Sequence, residues 1–194
     1  MTVNRWHAAC PATWPTWARD WACTTGSLTV RLKSLQRGFE VEPVAQGLAA
    51  VPPRTVPDDL ATRRHTMRQR LVRLKVGGQV VVLAQTVMTL NGKACDWPIW
   101  SRLGKRSLGS VLFTDPLVRR GPLRFARLPA STPWIQQLLR RQPACAGLPV
   151  DLNLNAMRMV YARCARFERR PGRTPLWVME VFLPTLNLFK QDTA

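Results

Sequence analysis

Residues Met67-Arg68-Gln69-Arg70-Leu71-Val72-Arg73-Leu74-Lys75-Val76-Gly77-Gly78-Gln79-Val80-Val81-Val82-Leu83-Ala84-Gln85-Thr86-Val87-Met88-Thr89-Leu90 read as two strands and a turn. Met67–Val76 and Val80–Leu90 are strand-like runs, and Gly77-Gly78 between them is a strong hairpin signal. Adjacent glycines reach the positive φ that a tight antiparallel connection requires without steric cost. In the first run Arg68, Arg70, Arg73 and Lys75 mix with Met67, Leu71, Val72, Leu74 and Val76. Alternation there is partial, so the pattern names no buried face.

Upstream of the hairpin, Phe39, Val41 and Pro43/Val44 suggest another strand, followed by the proline-rich loop Val51–Pro57 and a helical turn opened by Asp58-Asp59-Leu60. Ser27 is a plausible N-cap for a helix over Leu28–Leu35, closed by Gly38. Trp14, Trp17 and Trp21 fall at helical spacing, which points to an aromatic face pressed onto a core rather than a platform for stacking bases. Downstream, Trp97-Pro98-Ile99-Trp100 leads into Leu103–Phe113, where Gly104 and Gly109 bracket a polar turn before an apolar, helix-like stretch. Leu117–Leu128 reads as one strand carrying Arg119, Arg120, Arg124 and Arg127. Prolines and a glycine then surround a short helix at Trp134–Arg141, so Pro129–Leu154 reads as a peripheral insertion. Met157–Phe167 and Leu176–Leu183 are the last strands, linked by a turn over Arg169–Thr174. The sum is one α+β domain over residues 1–194, a mostly antiparallel sheet with flanking helices.

The 194 residues suit a single domain, and a 46% hydrophobic share argues against disorder. The longest apolar run, Val80–Ala84, falls far short of the roughly 18–20 residues of a membrane span. Met1–Cys10 lacks the basic-then-apolar pattern of a secretion signal, so a cytoplasmic location is expected. Cys10, Cys23, Cys95, Cys145 and Cys164 are odd in number and form no C-x-x-C pair; all five are expected as reduced thiols. His7 and His65 are too distant in sequence to suggest a zinc site. The 29 Lys+Arg against 11 Asp+Glu give a net charge of +18, which suits either nucleic acid or a small anionic substrate. Most of these charges, among them Arg63-Arg64, Arg119-Arg120, Arg140-Arg141 and Arg169-Arg170, are assigned to a solvated surface.

One residue stands out. In Leu176-Trp177-Val178-Met179-Glu180-Val181-Phe182-Leu183-Pro184, Glu180 is the single carboxylate of an otherwise apolar run. Such a charge calls for a buried partner, a solvent-facing edge or a ligand. Arg70 stands ahead of the hairpin and offers a fork for a carboxylate, though nothing local separates it from Arg68 or Arg73. No Ser-His-Asp set, Walker A loop, dinucleotide fingerprint, zinc finger or aromatic RNA-binding signature is present.

Several segments together resemble the chorismate pyruvate-lyase (chorismate lyase) family of ubiquinone biosynthesis. They are Arg70-Leu71-Val72-Arg73-Leu74 before Gly78, Leu83-Ala84-Gln85-Thr86-Val87, Leu103-Gly104-Lys105-Arg106-Ser107-Leu108-Gly109-Ser110-Val111-Leu112-Phe113, Tyr161-Ala162-Arg163-Cys164-Ala165-Arg166-Phe167 and Glu180-Val181-Phe182-Leu183-Pro184. The resemblance implies a six-stranded antiparallel sheet with helices, enclosing the product beneath helical flaps. It implies cleavage of chorismate to 4-hydroxybenzoate and pyruvate with no metal or organic cofactor, by a monomer without nucleic acid or a membrane span. Carried over by position, Arg70 and the Leu108 N–H hold the ring carboxylate, Glu180 meets the ring hydroxyl, and Leu28 lies on a flap; beyond the resemblance, Glu180 is the candidate catalytic residue, expected to orient the hydroxyl and assist proton removal. Gln85, where the family often has arginine, and Cys164-Ala165, in place of a more usual polar pair, depart from the pattern. Two other readings compete: a non-catalytic effector-binding domain of the same fold, and a basic nucleic-acid-binding module.

Overall fold

The computed structural model describes residues 6–52, 57, 65–90, 97–140, 157–172 and 174–189. In chain order its elements are α1 (Thr16–Ala22), α2 (Leu28–Ser34), β1 (Phe39–Val51), β2 (His65–Val76), β3 (Gln79–Thr89), α3 (Leu108–Leu112), β4 (Val118–Arg120), β5 (Arg124–Pro129), α4 (Pro133–Arg140), β6 (Met159–Arg169) and β7 (Leu176–Phe182), with short 3₁₀ turns at Trp100–Arg102 and Pro184–Phe189. Gly77 and Gly78 take φ of 56° and 75°, and the hairpin they close pairs Val76 with Gln79 and Arg70 with Thr86. The fold grows from this hairpin. β1 adds to β2, with a bulge between Pro43 and Ala45, and β7 adds to β3.

The sheet order is β1-β2-β3-β7-β6-β4, all antiparallel, with β5 also on β6. The expected single strand Leu117–Leu128 is therefore two. Gly121-Pro122 separates them, because proline has no N–H to give the ladder. β4 and β5 follow each other along the same edge of β6, so seven strands fill six positions across the α+β sheet.

Alternation sorts the strands onto two buried faces. One face carries Met67, Leu71, Leu83, Val87, Trp177, Met179, Val181 and Ala162, and packs against Trp134, Ile135, Leu138 and Leu139 of α4. The segment read as a peripheral insertion is thus, over residues 129–140, part of the main core; residues 141–154 lie outside the described residues. Four large apolar side chains on one turn-and-a-half of helix hold α4 there, each contributing about 1.5–3 kcal/mol when buried. The other face carries Val72, Val82, Ala84 and Phe182 beneath α1 and α2, and Met88, Ala165, Phe167 and Leu176 beneath α3. Trp14 and Trp21 are each 5% exposed and belong to that core, as their spacing suggests, although Trp14 precedes the helix.

Both faces of β2 are covered at its middle, so Arg70 and Arg73 are not solvated, while Arg68 is half-buried. Arg70 is 2% exposed on the α3 side and Arg73 1% exposed on the α4 side. Arg73 donates to Leu138 O at 2.9 Å and pairs with Glu42 at 3.0 Å. The cysteine expectation is corrected as well. Cys10 and Cys23 form a disulfide, because the chain before α1 folds back along it and brings their Cα atoms to 6.0 Å. Cys164 is buried, and Cys95 and Cys145 lie outside the described residues, as does the expected turn at Asp58-Asp59-Leu60. Among the described residues, no helix is long and apolar enough to cross a membrane.

Candidate active site

The site lies on the face under α2 and α3. Ser27 caps α2 by accepting from the Val30 N–H at 3.4 Å, and Ser107 caps α3 by accepting from the Ser110 N–H at 3.2 Å. The caps also join the helices, since the Ser107 hydroxyl donates to Thr29 Oγ1 at 3.0 Å. Gly109 lets them approach closely: a Cβ there would stand 2.8 Å from Thr29 Oγ1. Between this roof and the sheet is a narrow cavity of about 40 Å³, whose lining includes Leu28, Gly109, Arg120, Arg163, Val178 and Glu180.

Of the residues anticipated from sequence, Leu28 and Glu180 line the cavity together. Leu108 is the first residue of α3, so its N–H has no acceptor within the helix. Arg70 is further off, on the same sheet face. From Glu180 the register steps through Ala84 on β3, and from Arg70 through Thr86. The two Cα atoms are thus two strands and two residues apart, about 12 Å by strand spacing and rise. Arg70 Nη2 donates to Gly104 O at 2.8 Å and Arg106 O at 3.1 Å, which fixes the loop feeding α3. Its Nε is buried without a hydrogen-bond partner, and burial pulls the guanidinium pKa below its ordinary value. A guanidinium in that state gains from an anion. Gln85 is on the opposite face, 1% exposed, with Oε1 buried and unbonded.

Arg163 is the residue that the sequence reading passed over. It faces Glu180 across the β6–β7 pair and donates from Nε to Glu180 Oε2 at 2.6 Å. Its Nη1 donates to Ala22 O at 3.2 Å and Thr24 O at 2.7 Å. Two of the alternatives weighed for Glu180 therefore hold at once: it is ion-paired, and it lines a cavity. Arg120, assigned from sequence to the surface, also lines that cavity and donates from Nη2 to Thr25 O at 2.6 Å. Burial lowers its pKa, the Arg163 charge lowers it further, and Glu180 opposes both. Arg31 completes the clamp on the α1–α2 connection by donating to Asp20 O and to Thr24 Oγ1.

This arrangement is a lidded cavity over an antiparallel sheet, rich in guanidinium and holding one compensated carboxylate. A family profile described as chorismate lyase matches residues 5–194. The chain belongs to the chorismate lyase family. It is 36% identical over 184 residues to a probable chorismate pyruvate-lyase of Cupriavidus pinatubonensis, covering 93% of this chain and 87% of that protein. A probable chorismate pyruvate-lyase of Nitrosomonas europaea is 33% identical over 194 residues, with 96% and 99% covered. Among solved structures, the effector domain of PhnF from Mycobacterium smegmatis is similar with a TM-score of 0.52 at 12% identity, covering 84% of this chain and 91% of that one. At that identity the likeness is one of fold. The sheet that this chorismate lyase family member shares with the effector domain is the scaffold; the charged cavity carries the argument about chemistry.

Proposed function

We propose that this chain cleaves chorismate to 4-hydroxybenzoate and pyruvate in the cytoplasm, as the first committed step of ubiquinone biosynthesis, acting as a monomer without metal or organic cofactor. The observation that supports this reading best is the placing of a buried arginine with an unbonded Nε and a compensated glutamate on one sheet face under one roof. In this reading Arg70 and the Leu108 N–H hold the ring carboxylate, and Glu180 accepts from the hydroxyl para to it. Leu28 and α3 close over the ring.

The chemistry asks little beyond placement. The proton on C4 leaves, its bonding pair forms the C3–C4 double bond, and the C3–O bond breaks with its pair on the ether oxygen. The enolpyruvate so released takes a proton on its methylene carbon and becomes pyruvate. Aromatisation drives the step, so fixed charges and a positioned acceptor suffice. Arg163 keeps the Glu180 carboxylate in place, with Oε2 committed to the ion pair and the other oxygen left for the hydroxyl. In this reading α2 and α3, whose residues Leu28 and Gly109 line the cavity, part to admit the ring.

The test is to mix the purified protein with chorismate and follow 4-hydroxybenzoate by absorbance, and pyruvate by a coupled assay. Equimolar appearance of both is expected. Binding of chorismate without turnover would favour an effector-binding domain, and salt-dependent binding to DNA or RNA in its place would favour the nucleic-acid reading.

A further inference from the structure

The sheet face under α2 and α3 carries more positive charge than a single ring carboxylate needs. Arg120 and Arg163 line the cavity with Glu180 as its one carboxylate, and Arg70 stands outside that lining on the same sheet face, so the three guanidiniums and one carboxylate leave two positive charges across the face. Arg31 does not add to them, because it is not part of the lining and its bonds go to Asp20 O and Thr24 Oγ1. The proposed substrate is a dianion: besides the ring carboxylate, it carries a second one on the enolpyruvyl ether. That ether is attached next to the hydroxyl-bearing carbon. A hydroxyl held by Glu180 therefore brings the second carboxylate beside the Glu180 carboxylate, where it needs a cation of its own.

We propose that Arg120 binds the enolpyruvyl carboxylate, and that it, rather than Arg70, distinguishes the substrate from the aromatic product. This rests on the function proposed above. Direction and availability single out Arg120. Across the sheet the order is Arg70 on β2, Glu180 on β7, Arg163 on β6 and Arg120 on β4, so the ether side chain points away from Arg70 toward the last two. Arg163 is 3% exposed, and its Nε and Nη1 donors are already given to Glu180, Ala22 O and Thr24 O, so Nη2 alone remains and no fork is left for a second carboxylate. Arg120 is half-buried, its ring contact is Phe113 at 5.4 Å, and among the described residues its one hydrogen bond goes to Thr25 O. A guanidinium has five N–H donors, so a pair of them is left for a carboxylate in the bidentate geometry. Because Thr25 belongs to the α1–α2 connection, the same side chain links occupancy of the site to the position of that connection.

The experiment compares Arg120→Gln with the unaltered chain on two ligands. For chorismate, KM is expected to rise at least tenfold. For 4-hydroxybenzoate, which lacks the second carboxylate, the dissociation constant by calorimetry is expected to stay within twofold. Arg70→Ala, in contrast, weakens both. An unchanged KM, or an equal loss of affinity for substrate and product, overturns the proposal. Should Arg120→Gln melt well below the unaltered chain, Arg120→Lys serves instead, since it keeps the charge and loses the fork; a rise in KM without a change in product affinity is again required. If the unaltered chain turns over no chorismate, the proposed function fails by itself. Arg120 is then judged on chorismate and 4-hydroxybenzoate binding alone, where loss of both or of neither refutes its role.

Discussion

At the residue scale the site turns on a charge pair. Glu180 and Arg163 are 2.6 Å apart, with side chains 18% and 4% exposed. Removing one partner of such a pair strands the other, at a cost of about 3–5 kcal/mol for a fully buried pair and less here, where the carboxylate is partly wet. Arg163→Met is expected to lower the thermal midpoint by several degrees and to abolish turnover, because it also releases the Ala22 and Thr24 carbonyls. The double variant Arg163→Met/Glu180→Gln should regain part of the midpoint but none of the activity; calorimetric melting of both proteins checks this. Glu180→Gln alone keeps size and hydrogen bonding. It should lose turnover while still binding 4-hydroxybenzoate, and full activity would remove Glu180 from the chemistry. The sequence already isolates Glu180, since a lone carboxylate in an apolar strand is conspicuous. It gives no such prominence to Arg163, one of 29 basic residues. The available signal is register: once the β6–β7 hairpin is aligned, Arg163 is the residue opposite Glu180.

At the scale of elements, the α2–α3 roof depends on a missing side chain. A methyl group at Gly109 would meet Thr29 Oγ1 at 2.8 Å and Thr29 Cβ at 3.5 Å. Gly109→Ala should therefore force the helices apart, raise KM and lower the thermal midpoint. In a Thr29→Ala background the clash is relieved, and the same substitution should cost clearly less; equal costs in both backgrounds would show that the close approach is not the cause. Elements were legible where one local signal acts alone: the Gly77-Gly78 turn, the Ser27 cap and the Trp face of α1. Where two signals competed, reading along the chain misled. Apolar content carried Leu117–Leu128 through Gly121-Pro122, although proline ends strand pairing there. Flanking prolines made α4 look peripheral, although Trp134, Ile135, Leu138 and Leu139 recur on one helical face. The Cys10–Cys23 contact had no local signal at all, because it follows from the chain doubling back.

For the whole molecule, acid is the informative stress. Burial acts first on Glu42 and raises its pKa, but the Lys75 ammonium at 2.7 Å and the Arg73 guanidinium at 3.0 Å outweigh it, and the net shift is downward from 4.5. Asp115 is lowered from 3.8, first by the hydrogen bond from Arg169. Carboxyls that bind protons less readily when folded stabilise the fold above their unfolded pKa, and that stability is lost as pH falls through the folded value. The urea midpoint should thus be flat near neutrality and drop below about pH 4.5. In Glu42→Gln it should start lower and fall less steeply; an identical acid limb in both proteins would refute the assignment. The net charge of +18 sharpens this decline, because protonated carboxyls leave the arginines to repel one another.

The placing of β7 has a consequence for how the chain comes to be folded. β3, buried on both faces, finds its second neighbour only in β7, about 90 residues later along the chain, whereas β1, β2 and β3 pair with near neighbours in sequence. A nascent chain that has reached only as far as α4 would present β3 as a bare apolar edge, the kind of template on which chains associate wrongly. The strand that closes that edge is the one that carries Glu180. Protection from misassembly and arrival of the cavity's carboxylate are thus the same folding event.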